Sequence, residues 1–487
     1  MIRTLISHSL VYGLTNIAAR GALLVSLLVL PMILPPTDYG ALAMLALAGN
    51  LASVIVPLQV SQGLARHHAA AATPAEKNSY SSSAWWFTIA AQLVFLAAGQ
   101  AFAGWATERI LGDRAYVPVF RIALFAMVLN SLFFLLQTQF RWAFRPGGFV
   151  ALSLIYSLAT LGLSIGLALV WPVPLVGVVI GQALGAGAAV GWGALRLRRE
   201  LFGRIDWRRL RGMLRFAAPL VPSALCAALI AYGPRIVLND VGTLADVGVF
   251  AFASQIATIA TLAILGLQAA MTPLITLHHA DPETPAALGR VFQAFCAVAV
   301  AVCLLLGLFA AEAVGWLRSS GYGAAGPLVL VLAPAVLLAE MYIFAPGFWI
   351  AKRTGLQAAV CAAAAAFALA SAYLLIRAFG LTGAAAASLA SSGVFFTLWW
   401  AVAARFYSVP VRWGRLAIYT GLAGAAGAAA LLLTTPGTLW AVLIKAAAVG
   451  FAGLLAVLTG LVPWREGVVA AYTSLRRGAP LHPGVPN

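Results

Sequence analysis

Charge is what this chain most lacks. Asp, Glu, Lys and Arg make up 9% of its 487 residues, and only 13 of those residues are acidic. A soluble domain carries about 25% charged residues, so the scarcity excludes an ordinary water-soluble globule. Cysteine is also sparse. Cys226, Cys296, Cys303 and Cys361 all lie inside apolar runs without metal-type spacing, which argues against a metal centre and for small core residues. His8, His67, His68, His278 and His279 fall near span ends, and His482 lies in the tail. None has acidic or cysteine partners at ligand spacing. No P-loop or glycine-rich phosphate motif is present, so the chain is not expected to hydrolyse ATP. No catalytic constellation stands out. The expectation is a non-enzyme with no cofactor and no metal.

What is abundant is apolar sequence, at 63% of residues and a mean hydropathy of +0.97. Hydrocarbon cannot satisfy backbone hydrogen bonds, so spanning segments are helices or closed barrels. Barrel strands alternate apolar and polar residues. Here the apolar runs reach the roughly 20 residues that a helix needs to cross. The fold class expected is therefore an all-α polytopic membrane protein. Fourteen spans are read at 10–34, 40–64, 82–103, 116–138, 148–170, 173–195, 216–239, 245–273, 290–311, 326–350, 356–377, 382–404, 416–434 and 438–462. The first run is not read as a cleaved signal, because Arg20 interrupts it and no small-residue cleavage pattern precedes Pro35-Pro36.

The net charge of +17 would suggest nucleic acid in a soluble protein. Here it follows topology, and no nucleic-acid partner is expected. With the N-terminus cytoplasmic, 22 of the 30 lysines and arginines fall on the cytoplasmic side and four on the other. That bias predicts cytoplasmic N- and C-termini in a bacterial inner membrane. Acidic loop residues split evenly. Trp105, Trp171, Trp316, Trp440 and Trp464 sit at span ends, as interfacial aromatics do. The loops on the far side span roughly 3 to 14 residues, too short for an enzyme domain.

The spans divide into two lobes. Residues 1–195 form the first, 196–215 a basic linker, 216–404 the second, and 405–487 two further helices with a tail. In the linker, Trp207 to Arg215 has the pattern of an interfacial helix anchored on anionic headgroups. The lobes are expected to be copies. Asp38-Tyr39-Gly40 recurs as Asp246-Val247-Gly248, an offset of 208 residues. The same offset takes Asn50 and Ser53 to Thr258 and Thr261, Arg145 and Gly147 to Arg353 and Gly355, and Trp192 to Trp400. An offset of six spans preserves orientation, so the repeat is parallel. Two lobes around an axis along the membrane normal, with a cleft between them, are transporter architecture.

Five ionisable residues fall inside spans: Arg20, Arg121, Arg235, Lys445 and Glu340, with Glu340 read as the only embedded acid. A base at mid-membrane costs about 2.5–3.5 kcal/mol even on lenient scales, so each must snorkel, pair or face water. Arg20 shares a helical face with Asn16 and Tyr12, about 15 Å from the inner end of its span, and is read as substrate contact or structural pairing. Arg121 is read as a snorkelling residue or a substrate contact, and Asn130 lies on the opposite face of its helix. Arg235 follows Gly233-Pro234, where the helix is expected to break, and is read as a candidate substrate contact. Lys445 is read as a groove, snorkelling or binding residue. Glu340 is read as a salt-bridge partner for an arginine or as a site of ion coupling. Polar stripes through Asn50 and Thr258 are read as helix–helix glue or as cavity wall.

The opening, from Tyr12 through Leu30-Pro31 to Leu34-Pro35-Pro36-Thr37-Asp38-Tyr39-Gly40, resembles the start of the oligosaccharide flippase (Wzx-type polysaccharide transporter) family. Gly63-Leu64-Ala65-Arg66 closing span 2 is similar too. So are Arg215-Phe216-Ala217-Ala218-Pro219-Leu220-Val221-Pro222, Arg235-Ile236-Val237-Leu238-Asn239 and Asp246-Val247-Gly248-Val249-Phe250. The resemblance covers roughly 1–410. It implies the two-lobe fold of the multidrug/oligosaccharidyl-lipid/polysaccharide exporter superfamily. It implies alternating-access translocation of an undecaprenyl-diphosphate-linked oligosaccharide, with the bilayer as surroundings and polysaccharide polymerase and assembly proteins as further partners. A lipid II flippase and a multidrug/cation antiporter of the same superfamily are the alternatives.

Overall fold

The computed structural model describes residues 25–264, 267, 268, 271, 275, 280–316, 321–434 and 438–461. Among them the architecture is helical, and the helices follow the apolar runs. Helix α1 covers 25–33. The next is α2 (Pro36–Ile55), with proline at its first position, where no donor is needed. Leu58 and Gln59 then adopt left-handed φ of 49° and 54°. The expected second span is therefore two helices, the other being α3 (Val60–Ala70). Helix α4 (Pro74–Ala101) begins with a Thr73–Glu76 capping box. It is followed by the short α5 (Ala103–Leu111), α6 (Val117–Trp142), α7 (Pro146–Val170) and α8 (Pro174–Arg196). On α8, Gly177, Gly181 and Gly185 lie directly against the backbone of α7 at Leu167, Ser164 and Thr160. This is the small-residue packing that lets membrane helices approach.

After α9 (Arg198–Leu201) comes the linker helix α10 (Trp207–Ala217), capped by the Asp206 carboxylate. Its apolar residues Leu210, Met213 and Ala217 are buried, and it packs on α3 and α4. Arg209 pairs with Glu76 at 3.7 Å, and Trp86 Nε1 donates to Gly203 O at 3.1 Å. The apolar face is taken by protein, leaving Trp207 and the exposed arginines on the other side.

In the second half, α11 (Val221–Val241) runs unbroken through Pro234, against the expected break. Membrane helices tolerate such prolines where neighbours re-satisfy the backbone. Then follow α12 (Leu244–Thr258), α13 (Thr284–Trp316) and α14 (Ala325–Glu340). A 3-10 turn, Met341–Phe344, and the short α15 (Gly347–Ile350) continue α14. The long α16 (Thr354–Ala403) is two antiparallel arms joined at Gly380, whose φ of 57° and ψ of −129° reverse the chain. Ser371 and Ser391 hydroxyls face each other across the arms at 3.4 Å. Helices α17 (Trp413–Leu432) and α18 (Leu439–Leu458) end the described chain. Twelve helical stretches have the length and composition to cross a membrane. Counting the two arms of α16 separately, they account for spans 2 to 14.

The repeat is a symmetry of the structure. Helices α2 and α12 cross at the glycines of the two Asp-X-Gly motifs. A Cβ at Gly40 would collide with Leu244 O and lie 3.0 Å from Gly248 N. A Cβ at Gly248 would collide with Pro36 O and lie 3.0 Å from Gly40 N. Leu244 and Pro36 are themselves 208 residues apart, so each contact is the other's mirror under the repeat. The loops before α7 and before α16 match as well. Phe144 and Lys352 are both left-handed, at 53° and 54°. Arg145 N donates to Phe140 O and Arg353 N to Phe348 O, each at 3.1 Å. One correspondence is corrected. Trp192 stacks on Phe140 at 5.9 Å, but the ring on Phe348 is Trp399, at 4.8 Å, and not Trp400. The turn at Gly380 is shorter than the one between α7 and α8, which shifts the register.

Candidate functional site

Contact between the two sets of helices runs mainly through α2 against α12 and α11. It concentrates at the end away from the basic loops. There Arg109 pairs with Asp240 at 3.3 Å. Asn239 Nδ2 donates to Ile110 O at 2.9 Å and Tyr322 OH to Leu34 O at 2.9 Å. Tyr39, Phe252 and Tyr322 form an edge-to-face cluster with ring separations of 5.1 to 6.3 Å. Burial along α2 reports the same closure. Eight residues from Tyr39 to Gly49 are buried, whereas none from Asn50 to Ile55 is. The two halves are thus sealed at one end and splay towards the basic end.

Arg235 sits beside this seal, on α11. It is half-buried, and its Nε is buried without a hydrogen-bond partner. Its guanidinium carbon lies 5.8 Å from the ring centre of Tyr232, one turn earlier, and within electrostatic reach of the Tyr39 phenol. Among the described residues no carboxylate pairs with it. An unpaired, half-desolvated guanidinium is costly unless water or an anion completes it. Among the described residues it is the one predicted site residue whose surroundings ask for an anionic ligand.

Asn50 and Thr258 occupy equivalent places on α2 and α12, ten residues (~15 Å of helix) beyond the crossing glycines. Both are half-buried. The Thr258 hydroxyl donates to Gln255 O at 2.7 Å, while the Asn50 amide has no side-chain partner among the described residues. Arg121 is exposed on α6, away from these residues. Arg20 and Asn16 lie outside the described residues.

One reading of embedded charge is corrected. Glu340, at the end of α14, accepts from Gln268 Nε2 at 3.0 Å, and no arginine pairs with it among the described residues. Glu340 is also not the only embedded acid. Helix α13 runs five residues beyond the expected span, and this brings Glu312 inside. Its carboxylate pairs with Lys445 of α18. Lys445 is 1% exposed, its charge is matched by this protein partner, and the pair ties the last helix to α13. Removing one partner strands the other charge, at a cost of about 3–5 kcal/mol. Lys445→Ala is therefore expected to lower the melting temperature of the purified protein, and Lys445→Met with Glu312→Gln to recover most of it. Thermal unfolding in detergent measures both.

At the basic end, His68 is buried on α3. Burial, then Lys77, and then Arg145 against the opposing pull of Glu200, hold its imidazole below the usual histidine range. The folded state therefore favours neutral His68. Stability should rise with pH through the region below the ordinary histidine pKa of about 6.5, and fall on acidification. His68→Asn is expected to flatten that acid limb of the melting temperature against pH between about 5 and 7.

The comparisons agree with this geometry. The family model described as polysaccharide biosynthesis protein matches residues 5–278. No curated protein sequence matches. Among solved structures, the chain is similar to the lipid II flippase MurJ in an inward closed conformation, with a TM-score of 0.68 and 11% identity, covering 93% of this chain and 99% of that one. It is similar to an inward-facing multidrug resistance MATE family transporter, with a TM-score of 0.66 and 14% identity, covering 78% and 95%. A third is a transporter from Pyrococcus furiosus whose binding pocket has reversed polarity, with a TM-score of 0.55 and 12% identity, covering 82% and 93%. At these identities the structures establish the fold. With more than half its length matched by the family model, the chain belongs to the polysaccharide biosynthesis protein family.

Proposed function

We propose that this protein is a flippase that carries an undecaprenyl-diphosphate-linked oligosaccharide from the cytoplasmic to the outer leaflet of a bacterial inner membrane, for surface polysaccharide such as O-antigen, capsule or exopolysaccharide. The observation that carries the reading is Arg235, an unpaired guanidinium at the sealed end of the space between the halves. A diphosphate is the complementary charge. With the basic loops cytoplasmic, the open end faces the leaflet where such lipids are made. Asn50, Thr258 and, from beyond the described residues, Arg20 and Asn16 would line the path, and Arg121 would meet headgroups at the far rim. Outward movement of negative charge is favoured by about 2.3 kcal/mol per charge per 100 mV of inside-negative potential. Glu340, with Gln268 on it, is the candidate for cation or proton coupling. Polymerase and assembly proteins would act on the delivered unit.

The cation antiporter reading would want several free embedded acids. Glu312 is neutralised by Lys445, which leaves Glu340. Deletion in the source organism tests the proposal. The expected result is loss of a surface glycan with build-up of its lipid-linked precursor. Lysis with accumulated lipid II would support the peptidoglycan flippase instead, and altered drug tolerance with intact glycan the antiporter.

A further inference from the structure

We propose a second anion site, a pocket for the phosphate of a membrane lipid headgroup, at the basic end of the first lobe between Arg145 and Arg196. A cavity of about 400 Å³ opens there, lined by Phe140, Arg145, Gly148 and Arg196. That volume falls in the roughly 300–1,000 Å³ range of small-molecule sites. Arg145 precedes α7, whose first three residues are Pro146, Gly147 and Gly148. The first-turn amides of a helix lack intrahelical acceptors and carry positive potential. A Cβ at Gly147 would meet nothing within 4 Å, so the helix start is open there, while Gly148 packs closely on the Phe140 ring that forms the cavity's apolar wall.

The charges favour an anion. Arg145 uses one nitrogen on Glu200, at 2.7 Å, and the rest of its fork has no ion pair among the described residues. Arg196 is exposed and has no ion pair among the described residues. Two guanidiniums and a helix start outweigh the single carboxylate, and a phosphate suits the guanidinium fork. The surroundings point to a lipid. The cavity lies where α6 ends, α7 begins and α8 ends. In the turn beside it Phe144 is 71% exposed on a left-handed backbone, and Trp142 is 38% exposed. An exposed tryptophan at a span end belongs to the headgroup layer. The matching turn of the second lobe has Lys352 in place of Phe144.

The site is separate from Arg235 and needs only phosphate chemistry, so it stands whether or not the flippase reading does. The test is native mass spectrometry of the full-length protein released from detergent, in an Arg235→Ala background to silence the other site. The probes are phosphatidylglycerol and geranylgeranyl diphosphate, with phosphatidylcholine as the reference. Binding of either anionic lipid above the reference, weakened about tenfold by Arg196→Gln and unchanged by Arg198→Gln, is the expected result. Preference for the diphosphate would mark a waiting station for polyprenyl substrates, and preference for phosphatidylglycerol a site for bulk lipid. Equal effects of Arg196→Gln and Arg198→Gln, no effect of either, or no binding above phosphatidylcholine would overturn the proposal. Melting temperatures of the variants confirm that each is folded.

Discussion

Gly40→Val is expected to reduce surface glycan at least tenfold in a complemented deletion strain, and Gly248→Val to do the same. Each substitution drives a side chain into backbone: Leu244 O and Gly248 N in the first case, Pro36 O and Gly40 N in the second. A clash with backbone cannot be relieved by turning a rotamer, so the helices must separate. Overpacking of this kind costs about 1–3 kcal/mol or more. Here the strain falls on the crossing that seals one end of the molecule, and the conformational equilibrium shifts with it. Both glycines serve one contact, so the double variant should be little worse than either single one. Gly166→Val, where a Cβ meets nothing within 4 Å, is the matched control. It should sustain wild-type glycan. Membrane levels of each variant, measured by immunoblot, separate a transport defect from loss of protein.

Arg235→Ala is expected to give an equally deep loss of glycan, at least tenfold, with normal membrane levels and an unchanged or raised melting temperature. The sign of the stability effect is the discriminating part. Arg235 makes no ion pair among the described residues, and its Nε is a buried donor without an acceptor. Removing it therefore relieves a desolvation cost rather than breaking a bond. A structural arginine would behave in the opposite way. Arg235→Lys should retain part of the activity, because the charge remains while the planar fork is lost. A fall in melting temperature with glycan retained would assign Arg235 to the scaffold.

Most of the fold was legible because lipid-spanning helices announce themselves by length and composition, and because a repeat keeps its offset. The Asp-X-Gly pair pointed to what became the crossing of α2 and α12. What hydropathy could not show was tertiary partnership. Glu312 reads as a loop residue, since an acid normally ends an apolar run. Only the packing of α18 beside α13 reveals that Lys445 neutralises it within the helix. Pro234 carries a local signal for a break that neighbouring helices override in α11. The linker helix α10 has the pattern of a surface anchor, because an amphipathic face looks the same whether lipid or protein covers it. Val56 to Gln59 gave no compositional warning beyond Pro57, yet two left-handed residues split the expected span there. The site was legible in part. Arg235 was visible as an embedded base, but its lack of a partner could be seen only in the structure.

The most direct measurement uses purified protein in liposomes loaded on the outer leaflet with an undecaprenyl-diphosphate-linked oligosaccharide, with lipid sidedness read by a membrane-impermeant glycosidase. Protein-dependent loss of glycosidase access, faster under a potential that is positive on the receiving side and abolished by Arg235→Ala, is the predicted result. Oligosaccharide lipid that stays accessible at the same rate with and without protein would contradict the account.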